Sequence, residues 1–263
     1  MTIYDKISPL TCKVEEFKSL KKYPEKLFYI GNSELLHRVK VSIVGTRKPN
    51  QYTRNMTAKL SYALSTRGVC VVSGAAMGVD AIAHKSAGAS STIAVMANGL
   101  DIRYPQVNKT LIEDIEKNGL VISQFDINER AKPWSFVVRN ELVVALGEVL
   151  VVTQADIGSG SMRSVEYALK MGKKIYVLAH RIGESEATQQ LLKEKKAEAI
   201  YDIDEFCNQF KKLEDGSVDE IVEFCKKSPT YEEAYAKFGD KILEYELEGK
   251  LSIINAKVNV LIR

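Results

Sequence analysis

The sequence predicts an α/β protein with a doubly wound, mostly parallel sheet. Short β-branched apolar runs alternate with helical stretches: VSIVG, VCVVSG, STIAVMA, GLVIS, EVLVVTQ and KKIYVLA. The runs are continuously apolar, as expected for strands that are covered on both faces. This repeated β–α order is typical of an extended Rossmann-type fold, in which ligands bind at the carboxyl ends of the strands. We therefore expect the functional site in the loops after these runs.

The elements divide the chain into four segments. Residues 1–38 show no sustained period and are expected to form a short N-terminal lead-in that packs on the main domain, 39–211. Four helical stretches lie between the strands: QYTRNMTAKLSYALSTRG, DAIAHKSAGA, NKTLIEDIEKNG and SVEYALKMG. One further helical stretch, TQQLLKEKKAEAIYDIDEFCNQF, closes this domain, and residues 212–217 form a polar linker. Residues 218–263 show three short helices and then two β-rich stretches, which predicts a winged-helix-like module.

The composition favours an ordinary cytoplasmic globular protein. No apolar run approaches the ~20 residues of a membrane helix, and the N-terminal segment does not resemble a signal peptide. The four cysteines are far apart, without a CxxC pair, so neither a metal site nor a disulfide framework is expected, and no cofactor motif is present. The net charge of +3 is unevenly spread: residues 1–213 contain 30 basic and 23 acidic residues, and residues 214–263 contain 7 and 11. The larger domain therefore carries the positive potential that a nucleic acid would meet.

The loop after the first run is a candidate phosphate contact. Its glycine permits a tight turn, Thr46 offers a hydroxyl, and Arg47 offers a fork of donors that fits phosphate. The alternative is an ordinary strand-to-helix turn with a solvated arginine. The motif is weak when it is taken alone.

The loop after the second run, from Ser73 through Gly74 and Gly78 to Asp80, consists of small residues. Such a loop lets backbone N–H groups approach an anion at a helix start. It contains neither a P-loop lysine nor a dinucleotide fingerprint. Asp80 is expected to cap the helix or to orient the loop. His84, one turn further on, would form a catalytic pair with it or be a core histidine.

The segment from Trp134 to Asn140 combines an aromatic ring with a guanidinium. Phe136 and Arg139 are spaced i, i+3 at the start of a helix, so that they share one surface. Bases stack on aromatic rings for ~1–3 kcal/mol each, while arginine neutralises phosphate. The alternative is that Phe136 belongs to the core.

The loop after the fifth run places Ser159, Gly160 and Ser161 before a helix, where hydroxyl and amide groups favour anions. Lys170, Lys173 and Lys174 would extend the positive field or complement the helix dipole from the solvated helix end. Three anion-friendly loops at successive strand ends of one sheet make a chance arrangement much less plausible than any one loop does.

These segments together resemble the DNA-processing protein A (DprA/Smf) family. The resemblance covers most of the chain and rests on these motifs, in order: YPEKLFYIGNSELL, IVGTRKP, VVSGAAMGVDAIAH, TIAVMANGLDIRYPQVN, FVVRN and SGSMRSVEYA. It implies a homodimeric protein without enzymatic activity that binds and protects incoming single-stranded DNA in natural transformation. It also implies RecA recombinase as a partner that is loaded onto the strand, and single-strand-binding protein as a further partner.

The resemblance also implies roles for individual residues. Residues that match the family's DNA-binding motifs are Arg47 with Thr46, Ser73, Gly74, Gly78, Phe136, Arg139, Asn140, Ser159, Gly160 and Ser161. Lys132 supplies the basic residue before the F-x-x-R-N element, with Pro133 shifting its register, and Lys170 is added as a DNA contact. The chain departs from the family at Gln124, Glu141 and Ala179-His180. The expected recognition helix, DKILEYELEGK, is net acidic and would be repelled by phosphate, so we expect the last module to contact a partner or support the fold.

Two other functions fit parts of the sequence. Nucleoside-monophosphate phosphoribohydrolases share the fold and a phosphate loop, and Glu166 occupies a place similar to that of their glutamate. Their loop, however, reads Pro-Gly-Gly-x-Gly-Thr, which differs from Gly158–Met162 here. A transcription factor built on the small module is the third possibility, and the acidic helix argues against it.

Overall fold

The computed structural model describes residues 3–210, 220–247 and 250–260. Its contacts divide the chain into two compact units, one that ends at residue 211 and one that begins at residue 212. The linker predicted at 212–217 lies outside the described residues.

The first unit is built on a nine-stranded sheet in the order β1-β2-β6-β5-β4-β3-β7-β8-β9. The strands are β1 (Ser8–Pro9), β2 (Phe28–Gly31), β3 (Lys40–Val44), β4 (Cys70–Ser73), β5 (Thr92–Val95), β6 (Leu120–Ser123), β7 (Val149–Val152), β8 (Ile175–Leu178) and β9 (Glu198–Ile200). Neighbours from β3 to β9 run parallel, and β1 and β2 are antiparallel to their neighbours. All six predicted strands are present, so the predicted Rossmann-type fold is confirmed.

Helices cover both faces of this sheet, as the continuously apolar runs predict. They are α1 (Gln51–Ser65), α2 (Val79–Ala87), α3 (Lys109–Asn118), α4 (Pro133–Leu146), α5 (Gly160–Lys170), α6 (Glu186–Lys193) and α7 (Ile203–Asn208). Successive residues of a strand enter different clusters: Val72 and Leu150 pack in one core, and Val71 and Val151 in another. Each strand is therefore buried on both sides.

The lead-in is part of the sheet. Its strand β2 pairs antiparallel with β6, and Phe17 and Leu35 are completely or almost completely buried in the main core. Lys40, at the start of β3, is also buried, and its Nζ lies 2.6 Å from both Leu36 O and Glu16 Oε1. The segment before residue 39 thus supplies an edge of the sheet and the acceptors for a buried ammonium group.

The prediction that one helical stretch closes the domain is wrong in the middle of that stretch. The structure shows α6, then β9 in parallel register with β8, then α7. The left-handed backbone of Lys195, with φ of 56°, turns the chain between α6 and β9. β9 has only Ile200 fully buried, so it lacks the apolar run that identifies the other parallel strands.

The strand order reverses beside β3. From β3 the chain moves to β4, β5 and β6 on one side, and it later crosses to β7 on the other side. Such a reversal opens a crevice at the carboxyl ends of the two central strands. The backbone N–H of Thr46 bonds to the carbonyl oxygen of Gln154 at 2.9 Å and ties the two flanking loops together. The loops after β3 and β7 therefore meet at the expected binding position.

The second unit contains the elements of a winged helix. Helices α8 (Glu220–Cys225), α9 (Tyr231–Phe238) and α10 (Lys241–Leu247) precede the hairpin of β10 (Leu251–Ile254) and β11 (Lys257–Val260). Their buried side chains form one small apolar core: Ile221, Cys225, Ala234, Ile242, Leu251 and Val258. The three helices and the hairpin lie where the sequence predicts them.

Within the described residues, no helix combines the length and apolar character needed to cross a bilayer.

Candidate nucleic-acid interface

A groove of about 760 Å³ lies at the crevice beside β3. It is lined by the loops after β3 and β7, the first turns of α4 and α5, and two residues of the loop and helix after β4. The lining residues are Val44, Gly45, Thr46, Arg47, Lys48, Ala76, Asp80, Pro133, Phe136, Val137, Arg139, Asn140, Asp156, Ser159, Gly160, Ser161, Arg163 and Ser164. Eight predicted site residues are brought together here, from three separate parts of the chain.

Phe136 lies at the centre of this arrangement and not in the core. The guanidinium carbon of Arg47 is 5.5 Å from the centroid of its ring, and that of Arg139 is 5.9 Å away. Arg47 is exposed, whereas Phe136 is half-buried. A cation beside an aromatic ring is attracted by the ring's quadrupole. The structure thus places an aromatic surface and an exposed positive charge side by side in the groove.

The first turn of α5 forms another wall of the groove. Gly158 has φ of +77°, which favours glycine, and Ser159 occupies the N-cap position of the helix that begins at Gly160, without a side-chain cap hydrogen bond. A Cβ atom on Gly158 or Gly160 would meet nothing within 4 Å. Among the described residues, the buried Oγ atoms of Ser159 and Ser164 have no hydrogen-bond partner. The N–H of Met162 donates to Ser159 O at 3.0 Å, whereas the N–H groups of Gly160 and Ser161 come before the first hydrogen bonds of the helix, so this wall is open to an anion.

A smaller pocket continues inward from the groove. Phe136 and Tyr104, whose ring centroids lie 6.0 Å apart, line it together with Met77 and Asn98. Arg47 and Arg139 also line this pocket, so it shares its entrance with the groove. The two aromatic rings among its walls offer flat apolar surfaces on which a planar ring would pack, beside the polar groups of Asn98 and the two arginines.

The loop after β4 is held from inside. Asp80 Oδ2 accepts the backbone N–H groups of Gly74 at 3.2 Å and Ala76 at 3.3 Å. His84 Nε2 accepts the N–H of Ala75 at 3.2 Å. These three amides are therefore occupied by acceptors within the protein, and they are not available to cradle a phosphate.

His84 is a neutral core histidine. Because Nε2 accepts a hydrogen bond, Nδ1 carries the proton and donates it to Thr92 Oγ1 at 2.6 Å. Burial, with a further contribution from the charge of Arg139, lowers the pKa of His84 to about 3. Both ring nitrogens have partners, which leaves no basic nitrogen for proton transfer with Asp80.

Arg139 holds the same loop by its carbonyl groups. Its guanidinium is 4% exposed, and Nη1 donates to Gly74 O and to Val95 O at 2.8 Å, while Nε donates to Asn140 Oδ1 at 3.0 Å. Burial raises the pKa of Asp80, and the positive charge of Arg139 opposes that rise. Arg139 therefore supports the groove from beneath, and a phosphate contact by its remaining donors stays a prediction.

The structure corrects the expected positions of other residues. Ser73 is fully buried and donates its hydroxyl to Ile43 O at 2.7 Å, so it joins two strands and cannot reach a ligand. Gly74 and Gly78 are needed for packing, because a Cβ atom would overlap the guanidinium of Arg139 at Gly74 and would lie 2.5 Å from Thr46 O at Gly78. Gly74 also lines the inner pocket, and DNA contacts by the two glycines stay a prediction. Lys170, at the last turn of α5, lies about 15 Å along the helix from Gly160.

Lys132 is the N-cap residue of α4, next to Pro133 of the groove, and it is not among the lining residues itself. Lys173 is half-buried and donates from Nζ to the carbonyl oxygens of Ala145 and Gly147 at the end of α4. Burial lowers its pKa to about 8. Of the lysines considered beyond the loops, Lys132 lies nearest to the groove.

Sequence reasoning missed several lining residues. Lys48 and Arg163 add positive charge to the groove, and Asn98 and Tyr104 line the inner pocket. Lys48 directly follows Arg47, and Arg163 lies one helical turn beyond Ser159, so both positions could have been inferred from the motifs. Tyr104 gave no such signal, because it lies in an irregular loop between β5 and α3.

Two features bear on catalysis. Glu166 Oε2 is paired with Arg163 Nη1 at 2.9 Å, and Glu166 is not among the lining residues of the groove. Among the described residues, no group of three or more His, Cys, Asp or Glu side chains could hold a metal ion. The chemistry that the groove offers is hydrogen bonding, positive charge and an aromatic surface.

The fold and this groove define the class: a Rossmann-type α/β protein with an open groove, lined by basic, polar and aromatic residues, at its topological switch point. A family model described as DNA recombination-mediator protein A matches residues 3–211. The chain therefore belongs to the DNA recombination-mediator protein A family.

Known relatives agree with this assignment. The chain is 34% identical over 175 residues to the DNA processing protein DprA of Streptococcus pneumoniae, covering 65% of this chain and 62% of that protein. It is 32% identical over 179 residues to the Smf protein of Escherichia coli, covering 65% and 47%. With relatives from Synechocystis and Bacillus subtilis included, the match spans between 40% and 62% of the relatives' lengths.

Two solved structures share the fold. DNA processing protein A of Helicobacter pylori, a protein with a described single-stranded DNA binding mode, has a TM-score of 0.78 and 38% identity, covering 81% of this chain and 99% of that one. DprA of S. pneumoniae has a TM-score of 0.69 and 29% identity, covering 74% and 71%.

Proposed function

We propose that this chain binds single-stranded DNA in the groove beside β3 and catalyses no reaction on it. The observation that carries the proposal is the position of Phe136, whose ring centroid lies 5.5 Å and 5.9 Å from two guanidinium carbons and which lines the same groove as the N-terminus of α5. The described binding mode of the H. pylori relative supports this choice of ligand.

Phosphates and bases would bind to different walls. Arg47, Thr46 and the Ser159–Ser161 turn bind backbone phosphates, and Lys48 and Arg163 add to the field. Phe136 stacks on a splayed base, with Tyr104 as the second wall of the inner pocket. Phosphate contacts and stacking are indifferent to base identity, so binding is sequence-tolerant.

The wider role follows from family membership. We infer that the protein acts in the cytoplasm as a homodimer that protects single strands during natural transformation and helps to load RecA, with single-strand-binding protein as a further partner. Two grooves in one dimer would share a strand, and the second contact gains effective concentration without new interactions.

Binding is favoured over hydrolysis of a nucleoside monophosphate. The carboxylate that a phosphoribohydrolase would use, Glu166, is paired with Arg163, and His84 is neutral and fully hydrogen-bonded. Incubation with nucleoside monophosphates should release no free base. Release at a rate that Glu166→Gln abolishes would reverse this choice.

The acidic helix α10 is proposed to contact a protein partner or support the fold. It carries Glu244 and Glu246, whose charge opposes DNA, and Glu246 also accepts the N–H of Ile253 at 3.2 Å.

Fluorescence anisotropy with labelled oligo-dT and a matched duplex, over a series of salt concentrations, tests the proposal. We expect tight single-strand binding that weakens as salt rises. Arg47→Glu should weaken it at least ~10-fold, since it removes a phosphate contact and adds repulsion. Lys59→Glu makes the same charge change on the exposed surface of α1 and serves as the control. Unchanged affinity in a folded Arg47→Glu protein, or preference for the duplex, would refute the proposal.

A further inference from the structure

Trp134 is the only tryptophan in the chain, and it is 50% exposed on the first turn of α4. Its ring contacts that of Phe125, at 5.7 Å between centroids and an interplanar angle of 65°. Phe125 is buried and fixes the indole from below. A large aromatic side chain that is anchored on one side and solvated on the other offers a surface for a planar ligand.

The position of Trp134 relative to the groove is set by the helix. Pro133 and Phe136, its neighbours on the same turn, both line the groove. Residues at i and i+2 do not share a helix face, so Trp134 lies on a different side of α4 from Phe136. The two aromatic rings flank the N-terminal turn of a helix that is about 10 Å wide, a span that a few nucleotides cover.

The charges around Trp134 suit a polyanion. Lys132 caps the helix, and Arg130 lies just before it; both side chains are exposed. Two carboxylates of the preceding loop already have partners: Asp126 pairs with Lys26 at 2.8 Å, and Glu129 accepts the N–H of Asp126 at 3.3 Å. Positive charge thus continues from the groove around the end of α4.

On the proposed function, we infer that Trp134 is a second base-stacking surface, on which the strand places another base after it leaves the groove around the N-terminus of α4. The occupant is the single strand itself, because the basic rim is continuous with the groove and the indole stacks on any base. This role differs from that of Phe136. Trp134 would stack on a base at the open surface, whereas Phe136 lines a pocket.

The intrinsic fluorescence of the full chain reports on this contact directly, since a single tryptophan emits. Stacking on a base quenches indole emission. We expect oligo-dT to quench emission in parallel with the anisotropy change, and an abasic strand of equal length to leave it unquenched. Anisotropy saturation without quenching, or equal quenching by the abasic strand, would overturn the stacking and leave the proposed function intact. No anisotropy change at all would overturn both.

Variants give an independent readout. Trp134→Ala should weaken oligo-dT binding by roughly 5- to 100-fold with an unchanged salt slope, because it removes a stacking surface and no charge. Trp134→Phe should restore most of the affinity. Trp134→Leu keeps an apolar contact for Phe125 and replaces the alanine variant if that protein does not fold. Tyr62→Ala removes another exposed aromatic ring, near the end of α1, and should bind normally. Wild-type affinity in Trp134→Ala would sink the inference and favour a protein-docking role.

Discussion

The loops after β4 and β7 are both rich in small residues, but they differ in whether their polar groups have hydrogen-bond partners within the protein. The first, Ser73–Gly78, has its amides bound by Asp80 and His84 and its carbonyl groups bound by Arg139 and Asn108. The second, which leads through Gly158 into α5, leaves open space above its glycines and serine hydroxyls without partners among the described residues. The polar groups of the first loop, the fixed loop, are bound within the protein, and the second, the open loop, has open space beside its glycines. Small residues in a loop therefore indicate that another group can come close to the backbone. They do not indicate whether that group belongs to the protein or to a ligand.

The largest expected effect is on the fixed loop. Asp80→Ala removes the acceptor of the buried amide of Gly74 and the half-buried amide of Ala76, and it removes the counter-charge of Arg139. Loss of one partner from a buried pair costs about 3–5 kcal/mol, and we expect that decrease in the free energy of unfolding, measured with urea. Asp156→Ala makes the same change on the open loop and should stay within about 0.5 kcal/mol. Equal losses would remove the distinction between the loops.

The next effect is a pH dependence of the same loop. The pKa of His84 is about 3 in the folded protein and 6.5 in its ordinary state. The unfolded chain then binds the extra proton between these values, so stability falls as pH decreases through that window. Wild type should lose about 3 kcal/mol more than His84→Gln between about pH 7 and about pH 4. Because burial raises the pKa of Asp80, protonation of its carboxyl group favours the folded state as pH falls, and this contribution is present in both proteins. Parallel pH profiles would show that His84 is not buried in its neutral form.

A pair of glycine substitutions compares the two loops at the level of one methyl group. Gly74→Ala places Cβ against the guanidinium of Arg139, whereas Gly160→Ala meets open space. We expect a loss of about 1–3 kcal/mol for the first and a change within about 0.5 kcal/mol for the second, by urea unfolding. Reversed magnitudes would contradict the packing described here.

The smallest effect on stability separates binding from folding on the open loop. Ser161→Asp places a carboxylate in the first turn of α5, where it should stabilise the protein by about 0.3–1 kcal/mol. The same charge should repel phosphate and weaken oligo-dT binding about 10-fold, measured by anisotropy. Ser161→Asn is the neutral control. A variant that is more stable and binds as tightly as wild type would place the phosphates elsewhere.

Most of the fold could be predicted from the sequence because parallel strands that are buried on both faces leave apolar runs. β9 left none, since only Ile200 is fully buried. β2 was missed for a different reason: it is defined by pairing with β6, about ninety residues further along the chain, and Phe28 and Tyr29 are only half-buried. A local pattern of apolar residues does not reveal the pairing of strands that are so far apart in the sequence.

The site was predictable in its location and only partly in its chemistry. The strand order places the loops after β3 and β7 together, and the i, i+3 spacing does bring Phe136 and Arg139 to one surface. The direction of the amides after β4 was not predictable, because it depends on Asp80 and His84 reaching back from α2. Arg139 appears in the sequence as a surface cation, and its burial depends on a carbonyl group of Gly74, 65 residues away.

Because the lead-in supplies the edge strands of the sheet, it determines which shortened forms of the protein should stay in solution. A shortened chain that begins at Val39 would lose β2 and expose the edge of β6, whose unpaired backbone would invite pairing between molecules. It would also strip Lys40 of Glu16 and Leu36, leaving an ammonium group without its acceptors. Such a fragment should aggregate, whereas one that keeps both strands of the lead-in should stay in solution.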